Sequence, residues 1–545
     1  QSSNQKTVFW GFVASGMEVP GEDPMVTGEY GREFVHAMQA RNGSMQRAMC
    51  MPKHWLAYDL EGRKVDPVLN YSRNDFNAII SKQDMMDFYL PAWHATIGAG
   101  QASGVMCSTN AINGIDACMN PLYFQGFLRD RFNFTGAVVT DGHSCDNPNC
   151  VRTVAAQHPQ CSTCADLQDA NTTDSCPLEC GLLAAKYCLE AGTDIELGTI
   201  ISRFGPEAVQ AGVINRSTLS ESNVHLYSNL IRAGLYDASP DDALGATDVD
   251  TPRARQIAFE AATDAMVLLK NDDNVLPLQS TPGKRLKIGL VGPHLNSTTD
   301  LLSSLAYTQD RTNGPPFATI EAAIRARATR SFSIIGSALG CDIVAGCLTA
   351  DTASVSSAVT GADVVLAFVG LHPSSGGEHY PGFGTVCAES EAQDRVNITL
   401  CGQQQAVLQA AVQAAPQAKL IAVMINGGTI DLTWIRANAD AILNSWYPGQ
   451  SGGNAVAAVL FGDRAPSGRL PVTIYDQSIV QSRELGDMDL RSESGLTYMH
   501  YTGSPVYPYG WGLSYTNWTL AVKNASLSLT TPSFASDFAR YYSPA

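Results

Sequence analysis

Asp141 closes an apolar run, Ala137-Val-Val-Thr-Asp141. A carboxylate at the open end of a buried strand is well placed as a nucleophile, although turns and helix caps use aspartate too. Two further carboxylates, Glu389 and Glu391, lie in Cys387-Ala-Glu-Ser-Glu-Ala-Gln-Asp-Arg395. Gly- and Pro-rich residues separate this stretch from the apolar run that ends at Gly370. A long loop with paired carboxylates can carry a general acid/base, and an exposed acidic loop has the same composition. Lys53-His54 stands just before Trp55 and Tyr58. Such a pair can hold a ligand's hydroxyl groups by hydrogen bonds, or can be a solvated surface pair. Asp141, His143 and Ser144 supply the residue types of a hydrolytic triad, but side chains so close in sequence do not readily adopt triad geometry.

Cysteine is the next chemical signal. The chain has 14, and seven lie between Cys145 and Cys188 among Asn, Pro, Thr, Ser and Asp. Packing alone would struggle to order such a segment, whereas disulfides would restrict its open states. Cys161-x-x-Cys164 also has zinc-ligand spacing, and nine Asn-x-Ser/Thr sequons favour the disulfide reading over metal. The sequons begin at Asn42, Asn70, Asn133, Asn171, Asn215, Asn296, Asn397, Asn517 and Asn524. Together with the cysteines they point to an oxidising, glycosylating route. An odd count of seven leaves one cysteine to pair elsewhere or to stay free.

These groups need elements to position them. In residues 1–236, Gly104-Val-Met-Cys-Ser108, Gly136 to Asp141 and Thr193-Asp-Ile-Glu-Leu197 read as strands. Asp75 to Ala99, Pro121 to Phe132 and Ser217 to Gly234 read as helices. Strand–helix alternation with polar residues at strand ends is the pattern of a (β/α) barrel, interrupted here by a Cys-rich insertion over 142–190. A linker rich in Asp, Ala and Pro covers 237–250. Residues 251–516 then show a helix over Ala254 to Leu269 and another over Gln403 to Ala414. Apolar strands fall at Leu286 to Gly292, Ala362 to Gly370, Lys419 to Ile425 and Ala441 to Trp446, which predicts a doubly wound α/β sandwich. Gly289-x-x-Gly292 lacks the full dinucleotide fingerprint. From 517 to 545, alternating residues suggest the first strands of a β-rich third domain.

Composition sets the outer limits. The 545 residues carry 35 Lys+Arg and 52 Asp+Glu, a net charge of -17. That acid excess repels phosphate backbones, so nucleic acid is excluded as the expected partner. Apolar runs such as Val364 to Leu371 fall far short of the roughly 20 residues of a membrane helix.

Taken together, the motifs resemble glycoside hydrolase family 3, and within it the β-xylosidase branch. The resemblance rests on Pro20-Gly-Glu-Asp-Pro24, Lys53-His54 with Ala57-Tyr-Asp-Leu-Glu61, Phe76-Asn-Ala78, the Asp141 strand and Ala191-Gly-Thr-Asp194. It continues through Val267-Leu-Leu-Lys-Asn271, Leu276-Pro-Leu278, Tyr447-Pro-Gly-Gln-Ser-Gly-Gly453, Pro466 to Thr473 and Tyr509 to Thr516. Asp487-Met-Asp-Leu-Arg491 and the Glu-x-Glu-x-x-Asp-Arg loop carry the xylosidase likeness. The resemblance implies a (β/α)8-type barrel, an α/β sandwich and a fibronectin-III-like third domain. It implies a secreted, cofactor-free and metal-free retaining exo-hydrolase that releases xylose from β-linked oligosaccharides. Asp141 maps to the nucleophile and Glu389 to the acid/base, with Glu391 second. Lys53, His54, Arg73 and Met106 map to substrate-binding positions. β-Glucosidase or α-arabinofuranosidase activity is the neighbouring reading, and a non-catalytic glycan-binding descendant is the reading from another class.

The chain departs from the family pattern at four places. Trp10-Gly-Phe12 has Phe where the family has a sugar-binding Arg, and Cys107-Ser108-Thr109-Asn110 has Thr where the family has Tyr. Gly142-His-Ser-Cys145 after the nucleophile is also unusual. About the first third of the family's barrel has no counterpart here, so the expectation is of an N-terminally incomplete barrel with little activity in residues 1–545.

Overall fold

The structure is a computed structural model and describes residues 19–42, 45–61, 72–170, 176–237, 245, 248, 250–280, 283–302, 317–328, 331–373, 387–389 and 394–517. Phe12, Glu391, most of the 237–250 linker and the expected third domain beyond Asn517 lie outside the described residues.

In the N-terminal part, three short strands pair in parallel: β1 (Lys53–Trp55), β2 (Gly104–Cys107) and β3 (Ala137–Thr140). β3 is buried along its whole length, as expected for a strand covered on both faces. The segment expected as a strand over Thr193–Leu197 adds only one parallel bridge, Val139 to Ile195. Around the strands pack Pro24–Met38, Leu178–Ala191, Ile200–Gln210 and Arg216–Arg232, all α-helical. The helix expected from Asp75 begins later, at Lys82, because Asn77–Ala78 pairs as a strand with Ala111–Ile112. Ser81 then caps it, accepting the Asp84 N–H at 3.0 Å.

The C-terminal part is a six-stranded sheet of β4 (Val267–Asn271), β5 (Leu286–Val291), β6 (Phe332–Ala338), β7 (Val364–Gly370), β8 (Lys419–Ile425) and β9 (Ala441–Asn444). The order is β6-β5-β7-β8-β9-β4, parallel except for β4. Apolar clusters cover both faces, which is why the central strands read as unbroken apolar runs. The helix expected over Ala254–Leu269 stops at Asp264. Val267, Leu268 and Leu269 are fully buried and add an antiparallel edge to β9, so their apolar run is strand rather than helix.

The Cys-rich insertion is stapled by Cys145–Cys188, Cys161–Cys180 and Cys164–Cys176. Cys107–Cys118, Cys341–Cys347 and Cys387–Cys401 complete the disulfides among the described residues. Cys150, the odd member of the cluster, is a buried free thiol. Five sequon asparagines, Asn133, Asn215, Asn296, Asn397 and Asn517, are exposed. The side chains of Asn42, Asn70, Asn171 and Asn524 lie outside the described residues. The two parts meet through the buried carboxylate of Glu22, which accepts the Thr473 N–H at 3.0 Å, the Thr473 hydroxyl at 2.7 Å and the Tyr498 N–H at 2.8 Å.

Candidate active site

Asp141 is the first residue after β3, and its own N–H donates to Cys107 O at the end of β2. The strand pairing therefore sets the carboxylate at the C-terminal edge of the small sheet. One oxygen accepts the Gly142 N–H at 2.8 Å, and the other lies 3.1 Å from His54 Nε2 on β1. The side chain is 28% exposed, so one edge of the carboxylate faces out. Burial pushes its pKa up, but the His54 hydrogen bond and charge, the Gly142 N–H and the Arg73 charge outweigh burial and hold it at about 2. Asp141 is thus anionic and only partly solvated, the state that suits a carboxylate nucleophile.

The other positions expected from the sequence gather around it. Lys53 and His54 both sit on β1, and Lys53 is in register with half-buried Met106 on β2. His54 packs edge-on against Tyr58, with ring centroids 5.1 Å apart. Arg73 pairs with the buried Glu61 carboxylate at 2.9 Å. Burial raises the Tyr58 hydroxyl well above its ordinary pKa, and its neighbours include Glu61, Arg73, Asp141 and the Thr109 hydroxyl. Tyr58 and Glu61 were part of the Ala-Tyr-Asp-Leu-Glu motif but were not singled out as site residues. His143 and Ser144 form no triad with Asp141. The His143 ring pairs with Asp146 at 3.2 Å, and Ser144 is buried.

Glu389 is placed differently. It lies beside the sheet of the C-terminal part, on a two-residue strand paired with His372–Pro373. Its side chain is 0% exposed. Oε2 accepts the Gly427 N–H at 2.8 Å and the Tyr447 hydroxyl at 2.6 Å, while Oε1 accepts the Gly428 N–H at 2.5 Å. Arg395 approaches Oε1 at 3.9 Å. Among the described residues no hydrogen bond or ion pair links Glu389 to Asp141. Another member of the same motif does reach the site: Asp394 Oδ2 accepts the Glu61 N–H at 3.0 Å, across 333 positions of sequence. Because Glu61 also pairs with Arg73, the loop is tied to the shell of charges around Asp141.

Comparison with known proteins decides the family. The model of the glycosyl hydrolase family 3 N terminal domain matches residues 14–159, and that of the family's C-terminal domain matches 266–515. The chain belongs to glycoside hydrolase family 3. Among its relatives, exo-1,4-beta-xylosidase xlnD of Aspergillus niger is 31% identical over 533 residues, covering 95% of this chain and 60% of the relative. Probable beta-D-xylosidase 7 of Arabidopsis thaliana is 30% identical over 554 residues, covering 98% and 64%. A solved family 3 exo-β-xylosidase, in complex with a xylobiose aziridine probe, superposes with a TM-score of 0.78 at 29% identity, covering 95% of this chain and 61% of that one. A β-glucosidase from Erythrobacter marinus gives a TM-score of 0.72 at 25% identity, covering 95% and 65%. This chain therefore spans about three fifths of the length of these xylosidase relatives.

Proposed function

We propose that the protein is a retaining exo-glycosidase that releases xylose from the non-reducing end of β-linked oligosaccharides, acting outside the cell without metal or cofactor. The observation that carries this reading is the half-open Asp141 carboxylate, held anionic by His54, Gly142 and the Arg73 charge at a strand end. In this reading Asp141 attacks the anomeric carbon, and the leaving oxygen takes a proton from a carboxylic acid as its bond breaks. The resulting carboxylate then removes a proton from water, which attacks the glycosyl–Asp141 ester and regenerates both groups. The two carboxyl groups of a retaining enzyme stand about 5–5.5 Å apart. Lys53, His54, Arg73 and Met106 would line the sugar, with the three parallel strands as part of a (β/α)8 wall and a fibronectin-III-like domain following residue 516.

The acid/base falls to the Glu-x-Glu motif, and we assign it to Glu391 rather than Glu389. A proton shuttle needs a carboxyl that meets substrate, and both Glu389 oxygens are already used within the C-terminal part. The Asp394 contact with Glu61 supports bringing this motif to the nucleophile. A β-glucosidase reading has one specific support, the likeness to the Erythrobacter marinus enzyme.

A xylobiose aziridine is the direct test. It should form one covalent adduct, and peptide mapping should find it on Asp141. An adduct on another residue, or none under conditions that label an intact family member, overturns the reading. A glucose-configured analogue that labels Asp141 faster would transfer it to the β-glucosidase alternative.

A further inference from the structure

His143 sits two residues beyond Asp141, in a left-handed turn at φ 59°. Its side chain is 70% exposed, against 28% for Asp141 and 6% for His54. Exposed histidines ordinarily sample several rotamers, yet this one is fixed from several sides. Its N–H donates to Leu197 O from the neighbouring strand end. Its Nδ1 lies 3.2 Å from Oδ2 of the buried Asp146. Gln168 donates its side-chain Nε2 to the same Oδ2, and that nitrogen lies 3.2 Å from the same Nδ1. Gln168 belongs to the short turn Leu167–Asp169 of the Cys-rich insertion, between Cys164, which is bridged to Cys176, and the Cys180 partner of Cys161. Arg203, from the helix that follows the Ile195 strand end, binds the Gln168 carbonyl. Leu167 is fully buried and anchors the turn.

This arrangement occupies one ring nitrogen and leaves the other. Asp146 Oδ2, an acceptor, and the Gln168 amide nitrogen, a donor, both meet Nδ1, so either tautomer leaves Nε2 for a partner outside, and a hydroxyl group can pair with it as donor or as acceptor. Nε2 has no hydrogen bond among the described residues, so the exposed ring presents that nitrogen at a set place, two residues along the chain from Asp141. A buried carboxylate and a disulfide-stapled turn hold this exposed ring in place, as a preorganised binding contact requires. In a site that takes chain ends, the sugar being cleaved sits deepest, and the rim meets the unit that leaves.

We propose that His143 binds a hydroxyl group of the leaving-group sugar, through Nε2, and that Gln168 of the Cys-rich insertion is its positioning residue. The insertion thereby favours substrates whose leaving group is itself a sugar. This inference rests on the assignment of Asp141 as nucleophile.

The test compares kcat/KM on xylobiose and on nitrophenyl β-xyloside, whose leaving group offers no sugar hydroxyl. His143→Ala should lower the xylobiose-to-nitrophenyl ratio about fivefold, the size expected for one hydrogen bond. His143→Gln, which keeps an acceptor, should recover part of that ratio. Gln168→Ala should shift it in the same direction but less. An unchanged ratio in His143→Ala overturns the proposal, as does an equal loss in His143→Gln and His143→Ala. A wrong nucleophile gives a different pattern, since Asp141→Asn would then spare turnover of both substrates. If the parent turns over neither substrate, xylobiose binding by NMR titration decides. Weaker binding in His143→Ala, with xylose binding reduced less, supports the contact, and equal binding removes it.

Discussion

Asp141 and Glu389 are both carboxylates that accept hydrogen bonds from glycine N–H groups, and both have a cationic side chain or imidazole nearby. Their surroundings differ, and in the reading proposed above they suit opposite uses. Asp141 keeps an open edge, because His54 and Gly142 approach from the protein side and nothing described closes the other. Glu389 is shut in by the Gly427–Gly428 turn, Tyr447 and Arg395. A count of partners would not tell them apart. What separates a reacting carboxylate from a structural one is whether a lone pair is left facing space that a substrate can enter.

Substitutions can break that contrast. The largest effect is expected at Asp141. Asp141→Asn keeps the shape and removes the proposed nucleophile, so hydrolysis of nitrophenyl β-xyloside should fall at least about a thousandfold. Steady-state kinetics would show it, with circular dichroism unchanged. A loss of less than tenfold would make Asp141 a binding or structural group. Glu389→Gln should act mainly on stability. It removes one negative charge from beside the buried Arg395 and turns an amide N–H₂ toward glycine N–H groups, which should cost about 3 kcal/mol in urea unfolding. Unaltered stability, with turnover reduced as far as in Asp141→Asn, would return the acid/base role to Glu389.

How far the sequence foretold this contrast depended on the distance over which each feature is set. β7 and β8 were legible because seven consecutive residues, buried on both sides, leave an unbroken apolar signature. Asp141 was legible because one strand and the next residue define its place. β6 was missed, since Phe332–Ala338 is an edge strand of half-buried residues interrupted by Ser and Gly. Val267–Leu269 read as the end of a helix because three apolar residues carry no period of their own. The closure of Glu389 was out of reach, because its partners at Gly427, Gly428 and Tyr447 lie 38 to 58 positions away. The tie from Asp394 to Glu61 likewise needs the folded chain.

Smaller effects sharpen the comparison. His54→Ala removes the strongest lowering influences on Asp141 and leaves the Gly142 N–H and the Arg73 charge to oppose burial, so the pKa should rise from about 2 toward the ordinary 3.8. The sign follows from a folded-state pKa below the unfolded one. Asp141 ionisation contributes stability above about pH 4, and that contribution is lost as pH falls toward 2. The wild-type contribution is about 2 kcal/mol, and His54→Ala should abolish most of it. In activity, the acid limb of kcat/KM should move upward by one unit or more. A limb that stays in place would assign it to another group and loosen the link between His54 and the nucleophile.

The smallest change is Tyr447→Phe. It deletes one donor to Glu389 at 2.6 Å and leaves the two glycine N–H groups and Arg395 in place. The carboxyl group keeps an acceptor bond on each oxygen. The loss should therefore be about 1 kcal/mol, the worth of a single hydrogen bond, well below that of Glu389→Gln. The phenol's own hydroxyl, pushed far above its ordinary pKa by burial and then by the Glu389 charge, stays protonated at any working pH, so the loss should not vary between pH 5 and 8. Unfolding of both variants at those two pH values measures the difference. If Tyr447→Phe destabilised as much as Glu389→Gln, the three donors would act as one unit around the carboxylate. The backbone N–H groups alone would then be insufficient there, whereas at Asp141 one glycine N–H, the imidazole and the Arg73 charge act on a carboxylate that keeps one edge exposed.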